Sequence, residues 1–225
     1  MNDMSNRKLE LATNLERVNE RIKVAAEAVD RDPNSITLIV VTKTFPVSDI
    51  KMLYELGARN FGENRDQEGA LKAPELPEDC LWHFQGQIQS NKLKSIAQWA
   101  DAIHSIDEIS HARKLSSLVD RRDIFIQISL SDQANRGGVE PEDLAGFMKE
   151  VSALENLDIC GLMAVAPLEQ EPEAAFKRLK EISQEVIKTF PGAPAISAGM
   201  SNDFEAAIAQ GATHIRIGSQ ILGVR

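Results

Sequence analysis

The sequence predicts an α/β protein, a single closed (β/α)8 barrel of the TIM type, and three observations carry that prediction. Eight short apolar segments alternate with helical stretches from residue 37 onward. A long amphipathic segment precedes the first of them, and only ILGVR follows the last. Glycine and polar residues gather at the C-terminal ends of the apolar segments, the rim where such barrels keep their sites.

Residues 4–30 read as an amphipathic helix. Because no long segment follows the eighth strand, this helix is expected to cover the place of the eighth barrel helix. TLIVVTK (37–43) reads as a strand: the aliphatic run from Leu38 to Val41 suits burial on both faces, and Pro46 ends it. VSDIKMLYELG follows as a helix, with Ser48 placed to cap its start and Gly57 suited to a left-handed end. The later strands are ARNFGE (58–63), LWHFQG (81–86), AIHSI (102–106), IFIQISL (124–130), LDICGLMAV (157–165), AISAGM (195–200) and HIRIGS (214–219). Between them, SNKLKSIAQWA, DEISHARKLSSLVD, PEDLAGFMKEVSAL, EAAFKRLKEISQEVIKTF and NDFEAAIAQG carry helical periodicity, with Asp107 a possible cap and Gly211 a helix stop. Strict alternation requires a parallel sheet with right-handed crossovers. The rival is an open doubly wound sheet, against which stands the missing GxGxxG after the first strand. APELPEDC (73–80) is a short loop and no Gly/Ser linker divides the chain, so residues 1–225 are expected to form one domain.

With 225 residues, 43% of them hydrophobic, the chain is long enough to bury one large core. A net charge of -9 argues against general affinity for nucleic acid or anionic membranes, and leaves room for a small anion pocket. No apolar run approaches the roughly 20 residues that span a bilayer, and the polar start MNDMSNRKLE lacks a signal core. A cytoplasmic protein without nucleic-acid or membrane partners is expected. Cys80 and Cys160 have no partner at CxxC spacing, and His83, His104, His111 and His214 are scattered, so no metal centre is expected.

The rim residues carry the chemistry. Lys43 ends the first strand, and two readings stand: a solvated lysine whose stem covers apolar surface, or a desolvated amine able to attack a carbonyl. The second strand ends in Gly62-Glu63-Asn64 and the third runs from His83 to Gly86. GMSND (199–203) is a glycine turn with Ser201 at an expected helix N-cap, where free amides favour an anion. IRIGS (215–219) ends in Gly218, which admits a close approach of backbone to an anion, and in the Ser219 hydroxyl. Loops after strands seven and eight are frequent phosphate sites in these barrels. Arg216 shares a strand face with Gly218. It either pairs with an acid outside the barrel or faces inward beside the phosphate loop. An amine, a phosphate cradle and a ring partner together describe a site for pyridoxal 5'-phosphate (PLP), with a Schiff base on Lys43. Arginine can only donate to the ring nitrogen and leaves it unprotonated, which weakens carbanion chemistry.

At VVTKTFP, FGENRDQE, WHFQGQIQSNK, GLMAV, GMSNDFEAAIAQGAT and IRIGSQILG the sequence resembles the pyridoxal phosphate homeostasis protein family, from about residue 10 to the C-terminus. That family's fold is similar to the barrel domain of alanine racemase. The resemblance implies that Lys43 carries the cofactor, that Asn64 and His83 lie beside it, that Ser201, Gly218 and Ser219 hold its phosphate, and that Arg216 faces its ring nitrogen. It implies a carrier and regulator of PLP without strong catalysis; PLP and PLP-dependent apo-enzymes are the expected partners, and a monomer is expected. Arg65 stands where the family usually has an aromatic, Gln85 where an aliphatic is common, and Ala198 where a larger residue is frequent. Related racemases take a second acid/base, a tyrosine, from another domain; here the single tyrosine, Tyr54, falls in a predicted outer helix. Two other readings stay open: a PLP-dependent enzyme such as a weak racemase or decarboxylase, and a cofactor-free Schiff-base aldolase or sugar-phosphate isomerase with Glu63 as base.

Overall fold

The computed structural model of the protein describes residues 3–131 and 137–224. Its strands β1 (Thr37–Val41), β2 (Asn60–Glu63), β3 (Leu81–Phe84), β4 (Ala102–Ile106), β5 (Arg122–Gln127), β6 (Leu157–Met163), β7 (Ala195–Ser197) and β8 (His214–Ile217) close into a barrel in sequence order. Every pair is parallel, including β1 with β8, where Ile39 stands beside Arg216. That last pairing is what an open sheet lacks. Around the barrel lie α1 (Asp3–Glu27), α2 (Val47–Glu55), α3 (Asp66–Lys72), α4 (Leu93–Trp99), α5 (Ile109–Ser116), α6 (Leu144–Ser152), α7 (Pro172–Thr189), α8 (Phe204–Ala209) and the short α9 (Ser219–Leu222).

The opening helix covers the barrel beside the last strand, as expected. Leu11, Leu15, Val18, Ile22 and Ala26 form one buried stripe at helical spacing, and α1 packs on α2, α8 and α9. Arg7 pins it, donating to Asp49 Oδ2 at 2.7 Å and to the Leu222 carbonyl at 2.8 Å. The helix stops at Glu27, short of the expected residue 30, because the chain turns through Asp30 in the left-handed region, φ 55°.

Outward-facing strand residues such as Val40, Phe61, Trp82, Ile103, Ile124, Leu162, Ile196 and Ile215 make the layer between barrel and helices. Trp99 of α4 closes it edge-on against Trp82 and Phe84, with ring centroids 6.4 and 6.0 Å apart. Several expected strands ran two or three residues too far at their C-terminal ends, since the chain there leaves the ladder to form the rim turns. Neither expected cap forms. The N-cap of α2 is Pro46, with no side-chain cap, and Asp107 accepts instead from the Gly138 N–H at 3.0 Å. Gly57 and Gly211 do adopt left-handed backbone, φ 98° and 99°.

Gly161 lets β6 and β7 approach: a Cβ there would stand 1.8 Å from the Ala195 carbonyl oxygen. Gly161→Ala is expected to lose about 1–3 kcal/mol, read as a lower urea midpoint. Among the described residues no helix is long and apolar enough to cross a membrane.

Candidate functional site

Register places the rim residues. Val41 pairs with Gly62 and Gly62 with His83, so Lys43, Asn64 and Gln85 stand one inward-facing step further, at the mouth. Lys43 and Asn64 are exposed there, and Gln85 is partly buried. The desolvated amine considered for Lys43 is not what this conformation presents: the chain turns at Lys43–Thr44 and lifts the side chain toward solvent.

That turn is braced from beneath by a buried ionic cluster. Thr44 has φ 68°, a strained conformation for a β-branched residue, and its N–H donates to Glu68 Oε2 at 2.7 Å. Lys72 Nζ donates to the Thr42 carbonyl at 2.9 Å, to Glu63 Oε1 at 2.7 Å and to Glu68 Oε2 at 2.8 Å. Thr42 Oγ1 donates to Glu63 Oε1 at 2.6 Å. Burial pushes the Glu63 carboxyl above its ordinary pKa, against the pull of Lys72 and Thr42. Glu63 is therefore the ionic partner of Lys72 and does not offer itself as a base at the mouth.

Inside the barrel a second network runs from β8 to β2. Arg216 faces inward, 5% exposed, and donates to Ser197 Oγ at 2.8 Å and to the Ala164 carbonyl at 3.1 Å. Ser197 Oγ meets His104 Nδ1 at 2.8 Å, His104 Nε2 meets His83 Nδ1 at 2.9 Å, and His83 Nε2 meets Asn60 Oδ1 at 2.9 Å. Asn60 Oδ1 can only accept, so with both rings neutral each proton in the chain is fixed. Ser197 accepts from Arg216 and donates to His104 Nδ1; His104 donates through Nε2 to His83, which donates through Nε2 to Asn60. Both rings are neutral, as burial requires: it lowers His83 to about 3 and holds His104 well below its ordinary value. Arg216, which burial lowers to about 10, stays charged at neutral pH. His83 thus has both nitrogens engaged within the chain that orients Arg216.

These histidines set a pH dependence. His83 and His214 are lowered by burial to about 3 and about 4, whereas the unfolded chain protonates near 6.5. Below about pH 6.5 the unfolded state binds more protons, so stability falls as pH drops toward 4. Each buried histidine is expected to contribute up to about 1.4 kcal/mol per pH unit, measurable as urea midpoints at pH 7, 6 and 5.

The other side of the mouth is polar and close-built. Gly199 is left-handed, φ 92°. Ser201 is not the cap expected; α8 begins only after Asp203, whose Oδ1 accepts the Met200 N–H at 2.6 Å. Ser201 instead turns toward the β8 loop, where its hydroxyl meets that of Ser219 at 3.1 Å, and Gln220 Nε2 donates to the Ser201 carbonyl. A Cβ on Gly218 would come 3.0 Å from the Val41 carbonyl oxygen, so glycine lets this loop close against β1. Ser219 opens α9, where the Ile221 and Leu222 N–H groups donate back to the Gly218 carbonyl at 3.0 and 2.9 Å. Beyond Asn64 a cleft of about 570 Å³ opens, lined among others by Arg65, Gln87, Gln89 and Lys92. Asp107, Glu108 and His111 bring ligand-type atoms within 4.8 Å of one another, but Asp107 already serves Gly138 and His111 Nε2 meets Ser90 Oγ at 2.9 Å.

Of the residues singled out in the sequence, Lys43, Asn64, Ser201, Gly218 and Ser219 share the mouth and Arg216 lies beneath it. Sequence reasoning missed Ser197, His104, Asn60, Thr42, Glu68 and Lys72. The period-two rule applied inward from Gly199 and Gly62 would have found Ser197 and Asn60; Glu68 and Lys72 look like an ordinary surface i,i+4 pair.

The sequence matches the family described as alanine racemase, N-terminal domain, over residues 13–225. It is 37% identical to the pyridoxal phosphate homeostasis protein of Mycobacterium leprae, covering 96% of this chain and 93% of that one. The corresponding protein of Pseudomonas aeruginosa is 39% identical, with 96% of each chain covered. Among solved structures, PipY of Synechococcus elongatus with PLP bound superposes with a TM-score of 0.79 at 34% identity, over 92% of this chain and all of that one, 100%. An alanine racemase of Corynebacterium glutamicum, 16% identical, shares the fold with a TM-score of 0.68 over 94% of this chain and 61% of its own. The chain therefore belongs to the alanine racemase N-terminal-domain family and, within it, to the pyridoxal phosphate homeostasis proteins.

Proposed function

We propose that this protein reversibly holds pyridoxal 5'-phosphate through a Schiff base on Lys43 and limits the free aldehyde in the cytoplasm, passing the cofactor to apo-enzymes that need it. The observation that carries this reading is the meeting of the Ser201 and Ser219 hydroxyls from two neighbouring loops, beside the strand that delivers Lys43. With Gly218 they make a concave donor set suited to a phosphate dianion, and Arg216 beneath supplies a fixed donor for a pyridine nitrogen. The residues fit the group. When bound, PLP supplies an electrophilic aldehyde for amines. The protein's residues anchor the phosphate, keep Arg216 oriented through the histidine chain, and hold the Lys43 turn over its ionic brace. Tyr54 supports a carrier over a racemase: its hydroxyl donates to Asp79 Oδ1 at 2.9 Å on the outer helix layer. In this reading residues 1–225 work as a single PLP-binding domain and the protein as a monomer.

The test is an absorption spectrum of PLP-loaded protein before and after borohydride, followed by peptide mapping. Reduction should fix the label on Lys43. A label on Lys72 or Lys92, or none, would overturn the assignment.

A further inference from the structure

We infer that Gln85 is a further ligand contact at the mouth, donating a hydrogen bond from its side-chain amide to the phenol oxygen of the bound pyridoxal ring; this rests on the PLP reading above. Gln85 Nε2 is buried and has no hydrogen-bond partner. Its position is made by Gly62, where a Cβ would come 2.9 Å from Gln85 Nε2 and 2.9 Å from Ile39 Cγ2, so the amide lies across the inner face of β2 at the top of the barrel. The backbone cannot swing it away, because the Gln85 N–H extends the ladder by donating to the Glu63 carbonyl at 2.9 Å. A buried amide hydrogen left unpaired is costly, and nearly all such groups in native structures find a partner in protein, ordered water or a ligand.

The order of strands says what pairs with it. Around the mouth come the β7 and β8 loops with their hydroxyls, then β1 with Lys43, then β2 and β3 with Asn64 and Gln85. Around the ring of pyridoxal phosphate, the phosphate arm, the aldehyde carbon and the phenol oxygen occupy consecutive positions. With the phosphate at β7–β8 and the aldehyde at Lys43, the phenol oxygen is turned toward β2 and β3. It is an anionic acceptor and Gln85 is a neutral donor, so the match adds no charge to a partly buried position.

The experiment compares wild type with Gln85→Leu, titrating each with PLP and with the same aldehyde phosphate carrying hydrogen in place of the phenol hydroxyl. Gln85→Leu should bind PLP roughly tenfold more weakly while the two proteins bind the deoxy analogue alike. Ligand-free Gln85→Leu should melt roughly 2–4 °C higher, because an unpaired buried amide has been removed. Equal PLP affinity in the two proteins, or an equal loss with both ligands, would overturn the contact and leave the PLP reading standing. Failure of wild type to bind either ligand would overturn both.

Discussion

Lys43→Ala should give a protein that, when mixed with PLP, lacks the absorbance near about 420 nm that wild type develops. The substitution isolates chemistry from folding. Lys43 is exposed, on a turn whose brace is made by the backbone of Thr42 and Thr44 and by other side chains, so its removal should change stability by no more than about 0.5 kcal/mol. The phosphate loops and Arg216 remain, and the variant should therefore still bind PLP non-covalently. Equilibrium dialysis would show that residual affinity, and Ser201→Ala with Ser219→Ala in the same background should lower it further. A 420 nm band undiminished in Lys43→Ala would end the assignment of this lysine.

The mouth was legible in the sequence because it obeys rules of position. Strands of a parallel barrel begin and end where aliphatic runs begin and end, and the inward-facing residues at their C-terminal ends follow by counting in twos. That is why Lys43, Asn64, Gly218 and Ser219 fell at the rim and Arg216 inside it. The sequence did not reveal how far each side chain is from water. Lys43 left two readings open, a solvated lysine or a desolvated amine, and a turn through a left-handed Thr44 lifts it outward. Lys72 stands four residues from Glu68, the spacing of an ordinary surface pair, yet it is buried beneath that turn, its side chain 8% exposed. Ser201 looked like a cap, yet the helix starts later and frees its hydroxyl for Ser219. Each miss concerns a long-range partner, and such partners are set by which loops meet at the rim, a property of closure and shear that local pattern does not encode.

Lys72→Met should destabilise the protein by about 3–5 kcal/mol at neutral pH, the cost of leaving Glu63 buried without its cation. Glu63 is fully buried and its Oε2 already has no partner, so Lys72 and Thr42 are what keep its carboxylate tolerable. The pH dependence identifies the cause. With Lys72 gone, the folded-state pKa of Glu63 rises further above its unfolded value, so the folded state binds the extra proton. Stability then falls as pH rises from about 4.5 through the new folded pKa. The deficit relative to wild type should accordingly be smaller at pH 5 than at pH 8. Adding Glu63→Leu should recover much of it, since an apolar pair of similar volume often replaces a buried ion pair without loss. The double variant would still lack the donor to the Thr42 carbonyl, and PLP should therefore attach to its Lys43 more slowly than in wild type even with stability restored. A deficit identical at the two pH values, or a double variant that loads at the wild-type rate, would show that the cluster fills space beneath the turn without holding the lysine in place.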